Sequence, residues 1–123
     1  MGRYVSGDFE YKFWFATQPS IDIELFGGHG YETHNWVWDK EDLPTIQSTL
    51  KKFEKIFKKR FRISVHVFFK KMGKKGYTTS SNDKETNTKK WKEMCRLASI
   101  ISLGRIILES VKEKDNVDVC FEV

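Results

Sequence analysis

Near the start of the chain, residues 8 to 17 alternate between apolar and polar side chains, a period that belongs to strands and not to helices. Over residues 8 to 17, "DFEYKFWFAT", Phe9, Tyr11, Phe13 and Phe15 alternate with Asp8, Glu10, Lys12 and Trp14. This predicts a strand with an aromatic face to be covered and a largely charged face left in water. A glycine-rich connection, "ELFGGHGYE", follows. Residues 33 to 38, "THNWVW", then predict a second, short strand, placed to pair with the first as an antiparallel hairpin with a long connection.

The period then lengthens. Leu43, Ile46, Leu50, Phe53, Phe57 and Phe61 fall three or four residues apart and form the single apolar stripe of an amphipathic helix. Asp39 or Asp42 suits its N-cap, and Pro44 sits where a helix tolerates proline. Residues 62 to 71, "RISVHVFFKK", return to alternation and predict a third strand. Ile63, Val65, Val67 and Phe69 share one face, and Ser64, His66, Phe68 and Lys70 the other. Residues 73 to 89 are polar, with Tyr77 as the main apolar exception, and predict a loop longer than a plain connection needs.

A long helix is expected from about Thr88 to Lys114, with Thr88 as its cap. It is apolar round so much of its circumference that it is either central to the fold or a contact between copies. Gly104 inside it costs roughly 1 kcal/mol of helix propensity against alanine and offers a place for close approach. "NVDVCFEV" closes the chain as a strand with Val117, Val119 and Phe121 inward. The expected architecture is one α+β domain in β-β-α-β-α-β order. Two helices would lie on one face of a mixed four-stranded sheet. The last strand-helix-strand unit would be a right-handed crossover, making its strands parallel.

Composition narrows the class. A chain of 123 residues suits one domain. Hydrophobic content is only 39%, but ten Phe and four Trp carry enough area for a core and argue against disorder. No apolar run reaches bilayer length, and the N-terminus lacks a secretory pattern. An intracellular setting with Cys95 and Cys120 as reduced, buried thiols is therefore expected.

Charge is where the sequence speaks most clearly. The net charge is +5, and the basic residues are clustered. Lys51, Lys52, Lys55, Lys58, Lys59, Arg60 and Arg62 stand against the acid Glu54, and Lys70, Lys71, Lys74 and Lys75 follow. Helical spacing puts most of the first group away from the apolar stripe. Their mutual repulsion costs stability unless an anionic partner relieves it. Nucleic acid, or another polyanion, fits that requirement. A lysine-rich face that only keeps the protein soluble fits it too.

Other stretches carry less chemistry. Glu10 and Lys12 have the Glu-x-Lys spacing of metal-dependent nucleases, with Asp8 on the same face about 7 Å along. Nothing before them supplies the further acid that such a site needs. His29, His34 and His66 match no zinc spacing, and "GGHG" lacks the Lys-Ser/Thr of a phosphate loop. No catalytic residue, metal site or cofactor is assigned.

The opening "GRYVSGDFEYKFWFATQPS", with "FGG" after it, resembles the start of small proteins of large double-stranded DNA viruses of algae and protists, and of some phages. The likeness covers roughly the first quarter of the chain. It implies a viral origin, in host cytoplasm or virion, and no site residues. Three readings follow. The first is a non-enzymatic protein binding nucleic acid through residues 51 to 75. The second is a structural or host-interaction protein forming homo-oligomers through the apolar C-terminal helix. The third is a metal-dependent nuclease using Asp8, Glu10 and Lys12.

Overall fold

The computed structural model describes residues 4–14, 18–32, 34–75 and 89–121. Its strands are β1 (Tyr4–Gly7), β2 (Tyr11–Lys12), β3 (His29–Tyr31), β4 (Asn35–Asp39) and β5 (Asn116–Phe121). They form one five-stranded sheet in the order β2-β1-β5-β4-β3, and every neighbouring pair is antiparallel. The expectation of a mixed four-stranded sheet is thus corrected. Among the described residues no parallel crossover forms, because the segment expected as the third strand is helical. The last strand instead enters between β1 and β4.

Residues opposite each other in an antiparallel sheet point to the same side. The register Val5↔Tyr11, Gly7↔Val119 and Trp38↔Val117 places Val5, Tyr11, Trp38, Val117 and Val119 on one face, and all five are buried. Tyr4, Ser6, Lys12, Asp118 and Cys120 lie exposed on the other. The aromatic stretch that opens the chain is only partly a strand. Gly7 turns the backbone with φ at +124°, and a side chain there would collide with the Asp118 carbonyl. Asp8 then ties the turn to β5. Its carboxylate accepts the Asp118 N–H at 2.8 Å, and its own N–H donates to the Asp118 carbonyl at 3.1 Å. Phe9, Tyr11 and Phe13 are buried as expected, while Glu10 and Lys12 are exposed and Asp8 is half-buried. Phe15 lies outside the described residues.

Helix α1 (Leu43–Phe61) forms where the apolar stripe placed it. Asp39 opens a short 3-10 turn over Lys40–Asp42 with a reciprocal cap. Its carboxylate accepts the Glu41 N–H, and Asp42 accepts the Asp39 N–H, both at 2.9 Å. Helix α2 (Val65–Lys75) replaces the strand expected over residues 62 to 71. Ser64 starts it, its hydroxyl and carbonyl accepting the N–H groups of Val67 and Phe68 at 3.3 and 3.2 Å. Val65 and Phe68, three apart, are buried together, which alternation would forbid. Phe68 packs against Phe57 and Trp91, with ring centroids 5.5 and 4.8 Å away.

Helix α3 (Lys89–Lys114) lies along α1 and against β5. Its broad apolar surface is used inside the chain. Trp91, Met94, Ala98, Ile101, Leu103, Ile107 and Val111 are all buried. Gly104 permits the close approach that its position suggested, meeting Phe26 of the 3-10 segment Ser20–Phe26 and Leu50 of α1. The Thr88 cap lies outside the described residues. Cys95 is buried and Cys120 exposed, and no disulfide joins them. The expectation that both would be buried fails for Cys120, because alternation along β5 turns it away from Val117 and Val119.

Candidate nucleic-acid interface

The basic stripe is positioned by the apolar one. Ile46, Leu50, Phe57 and Phe61 fix α1 to the core, and 3.6-residue periodicity turns Lys51, Lys55 and Lys58 outward, with Lys52 and Lys59 beside them. All five are exposed. Arg62 extends the line past the helix end. The run from Lys51 to Arg62 is roughly 16 Å long at the helical rise. Arg60 is exposed too, but about half a turn round the axis from Lys51.

Arg62 holds an unusual conformation. It caps α1 in the left-handed region, with φ at 60°, and its N–H donates to the Lys58 carbonyl at 2.8 Å. Glycine is the residue that this position ordinarily favours.

The acid within the stripe is occupied. Glu54 Oε2 accepts from Arg105 Nη2 of α3 at 2.8 Å, and the same guanidinium lies 5.5 Å above the Phe69 ring. Among the described residues, no carboxylate comes within ion-pair distance of Lys51, Lys52, Lys55, Lys58, Lys59 or Arg62. Among the described residues, the stripe is therefore uncompensated.

Lys70 and Lys71 are exposed on α2. Sequence reasoning placed them on a strand. A three-residue turn, 62 to 64, instead carries them into a second helix immediately after α1. Lys74 and Lys75 belong to the end of α2, and their side chains lie outside the described residues. The polar segment 76 to 88 lies outside them as well.

The other candidate chemistry is placed differently. Asp8 spends its carboxylate on the β5 backbone, and Lys12 stands 5.7 Å over the Tyr4 ring. Among the described residues, no three His, Cys, Asp or Glu side chains converge as metal ligands would. His29, His34 and His66 are exposed, and His34 packs edgewise on Phe121 at 6.1 Å. The "GGHG" glycines serve packing. Side chains at Gly28 and Gly30 would collide with Trp36, whose indole N–H donates to the Gly27 carbonyl at 2.9 Å.

One feature went unseen in the sequence, a buried polar network that links the chain's start to α3. Tyr11 donates to Gln18 Oε1 at 2.7 Å, and Gln18 Nε2 donates to the Ser99 carbonyl at 3.0 Å. Arg96 grips buried Asp22 with two bonds of 2.7 and 2.8 Å. Burial pushes the Tyr11 hydroxyl well above the usual phenol range. No sequence motif marks these residues, since the bonds that join them to α3 span 74 to 88 positions. The network is satisfied internally and acts as a brace.

No protein-family model matches the chain. No curated protein matches it, and no solved structure does. Among the described residues, no helix is long and apolar enough to cross a membrane.

Proposed function

We propose that this is a non-enzymatic, virus-encoded protein that binds nucleic acid through phosphate contacts along α1. Lys51, Lys55, Lys58, Lys59 and Arg62 make the principal contacts. Lys52, Lys70, Lys71, Lys74 and Lys75 widen the field around them. The observation that carries this reading is the uncompensated stripe itself. Its cations are exposed along one side of α1, while the acid among them is held by Arg105.

Repulsion supports the same reading. Lysines four apart on a helix destabilise it by a few tenths of a kcal/mol per pair. Lys51–Lys55 and Lys55–Lys59 are two such pairs. A polyanion converts that cost into affinity by releasing the counterions it holds. Point-charge lysines on one face make sequence-independent contacts, because phosphates carry no base identity.

An electrophoretic shift assay at low salt tests the proposal. The unmodified protein shifts a DNA or RNA probe, and a Lys55→Glu/Lys59→Glu variant with an unchanged melting profile shifts it far less. No shift by the unmodified protein ends the reading.

A further inference from the structure

Resting on that reading, we infer that the stripe's partner is double-stranded DNA, gripped along its backbone.

Proteins that hold single strands combine a basic track with exposed aromatic rings on which unpaired bases stack. This surface has the track without the rings. Of the aromatics on α1, Phe57 and Phe61 are buried and Phe53 is half-buried against the core. On α2, Phe68 is buried, and Phe69 is taken by Trp14 at 6.3 Å and by Arg105 at 5.5 Å. Among the described residues of both helices, no Phe, Tyr or Trp therefore offers a base a free face, and the one exposed ring is the imidazole of His66 on α2.

Duplex RNA is read largely through 2′-hydroxyls across its shallow groove. Neutral hydrogen-bonding side chains suit that task. From Lys51 to Arg62 every exposed side chain is Lys or Arg. A membrane surface fits no better, because an interfacial helix inserts its apolar face. Here that face, Ile46, Leu50, Phe57 and Phe61, is closed against the core.

What remains is a stiff, straight row of point charges about 16 Å long. It matches a stiff partner of high charge density. A duplex holds more condensed counterions per phosphate than a single strand, so the same contacts release more of them. For five phosphate contacts the difference favours the duplex on the order of tenfold at 50 mM salt.

Fluorescence anisotropy tests this with three labelled 20-mers of mixed sequence, namely duplex DNA, single-stranded DNA and duplex RNA, in 50 mM salt. The expected result is tightest binding to duplex DNA, on the order of tenfold over the single strand, and loss of that preference in Lys51→Ala/Lys55→Ala/Lys58→Ala. Equal or tighter binding of the single strand, or tighter binding of duplex RNA, overturns the inference and leaves nucleic-acid binding standing. Absence of binding to all three overturns both.

Discussion

Glu54 of α1 and Arg105 of α3 form an ion pair 2.8 Å long, and it removes the acid from the lysine stripe. Both side chains are more than a third exposed, so the pair adds little to stability. Its larger effect is on the field of the surface. Replacing Glu54 with Gln deletes a negative charge from the middle of the stripe. Duplex affinity at low salt is expected to rise about two- to fourfold, with the melting temperature nearly unchanged. Weaker binding by Glu54→Gln in a titration would show that the stripe does not meet phosphates.

Arg62 sets stability against binding. A non-glycine residue in the left-handed region costs about 1–2 kcal/mol, part of which glycine returns as chain entropy. Arg62→Gly should therefore stabilise the fold by about 0.5–1 kcal/mol in urea unfolding, while weakening DNA binding several-fold. Opposite signs in the two measurements distinguish a functional arginine from an incidental one.

Gly104 makes the opposite case. Helix propensity alone says that Gly104→Ala stabilises by about 1 kcal/mol. A β-carbon there would lie 2.5 Å from the Phe26 ring and 3.1 Å from Leu50. Overpacking of that kind typically costs about 1–3 kcal/mol. Net destabilisation is expected by chemical denaturation. A companion Phe26→Leu change, which makes room, should reduce the penalty of the alanine.

These positions show what was legible in the chain. The stripe Leu43 to Phe61 is local and periodic, so α1 could be read directly, and so could the exposure of its lysines. Val65, Val67 and Phe69 also alternate, yet the segment is helical. Phe57 and Trp91 receive Phe68 beside Val65, and that choice depends on distant residues. Strand β3 escaped notice because His29, Gly30 and Tyr31 have no apolar alternation; pairing with β4 makes it a strand. The sheet order escaped for a related reason. The pairing of β1 with β5 joins the two ends of the chain, and no local pattern encodes it. The uncompensated state of the stripe was half visible. The lysines are in the sequence, but the Arg105 that holds Glu54 is fifty-one residues away.

The two thiols should separate cleanly. Burial pushes the Cys95 thiol up to about 11, whereas Cys120 is exposed on the open face of the sheet. An alkylating reagent should label Cys120 in the native protein and Cys95 only after unfolding, as read by mass spectrometry. The same burial gives a pH dependence. Cys95 in the unfolded chain loses its proton near 9, so above that pH the folded state binds more protons than the unfolded one. Stability is expected to be intact below pH 9 and to fall as pH rises toward about 11. A Cys95→Ala variant should lose part of that fall, and a midpoint that rises through this range would contradict the assignment.

The salt dependence of duplex DNA binding tests the central claim most directly. Five phosphate contacts predict that log K falls against log salt with a slope of about −4 to −5. Removing two of them in Lys55→Ala/Lys59→Ala should flatten that slope by roughly 2. A slope near zero for the unmodified protein, or an unchanged slope in the variant, would contradict the assignment of phosphate contacts to α1.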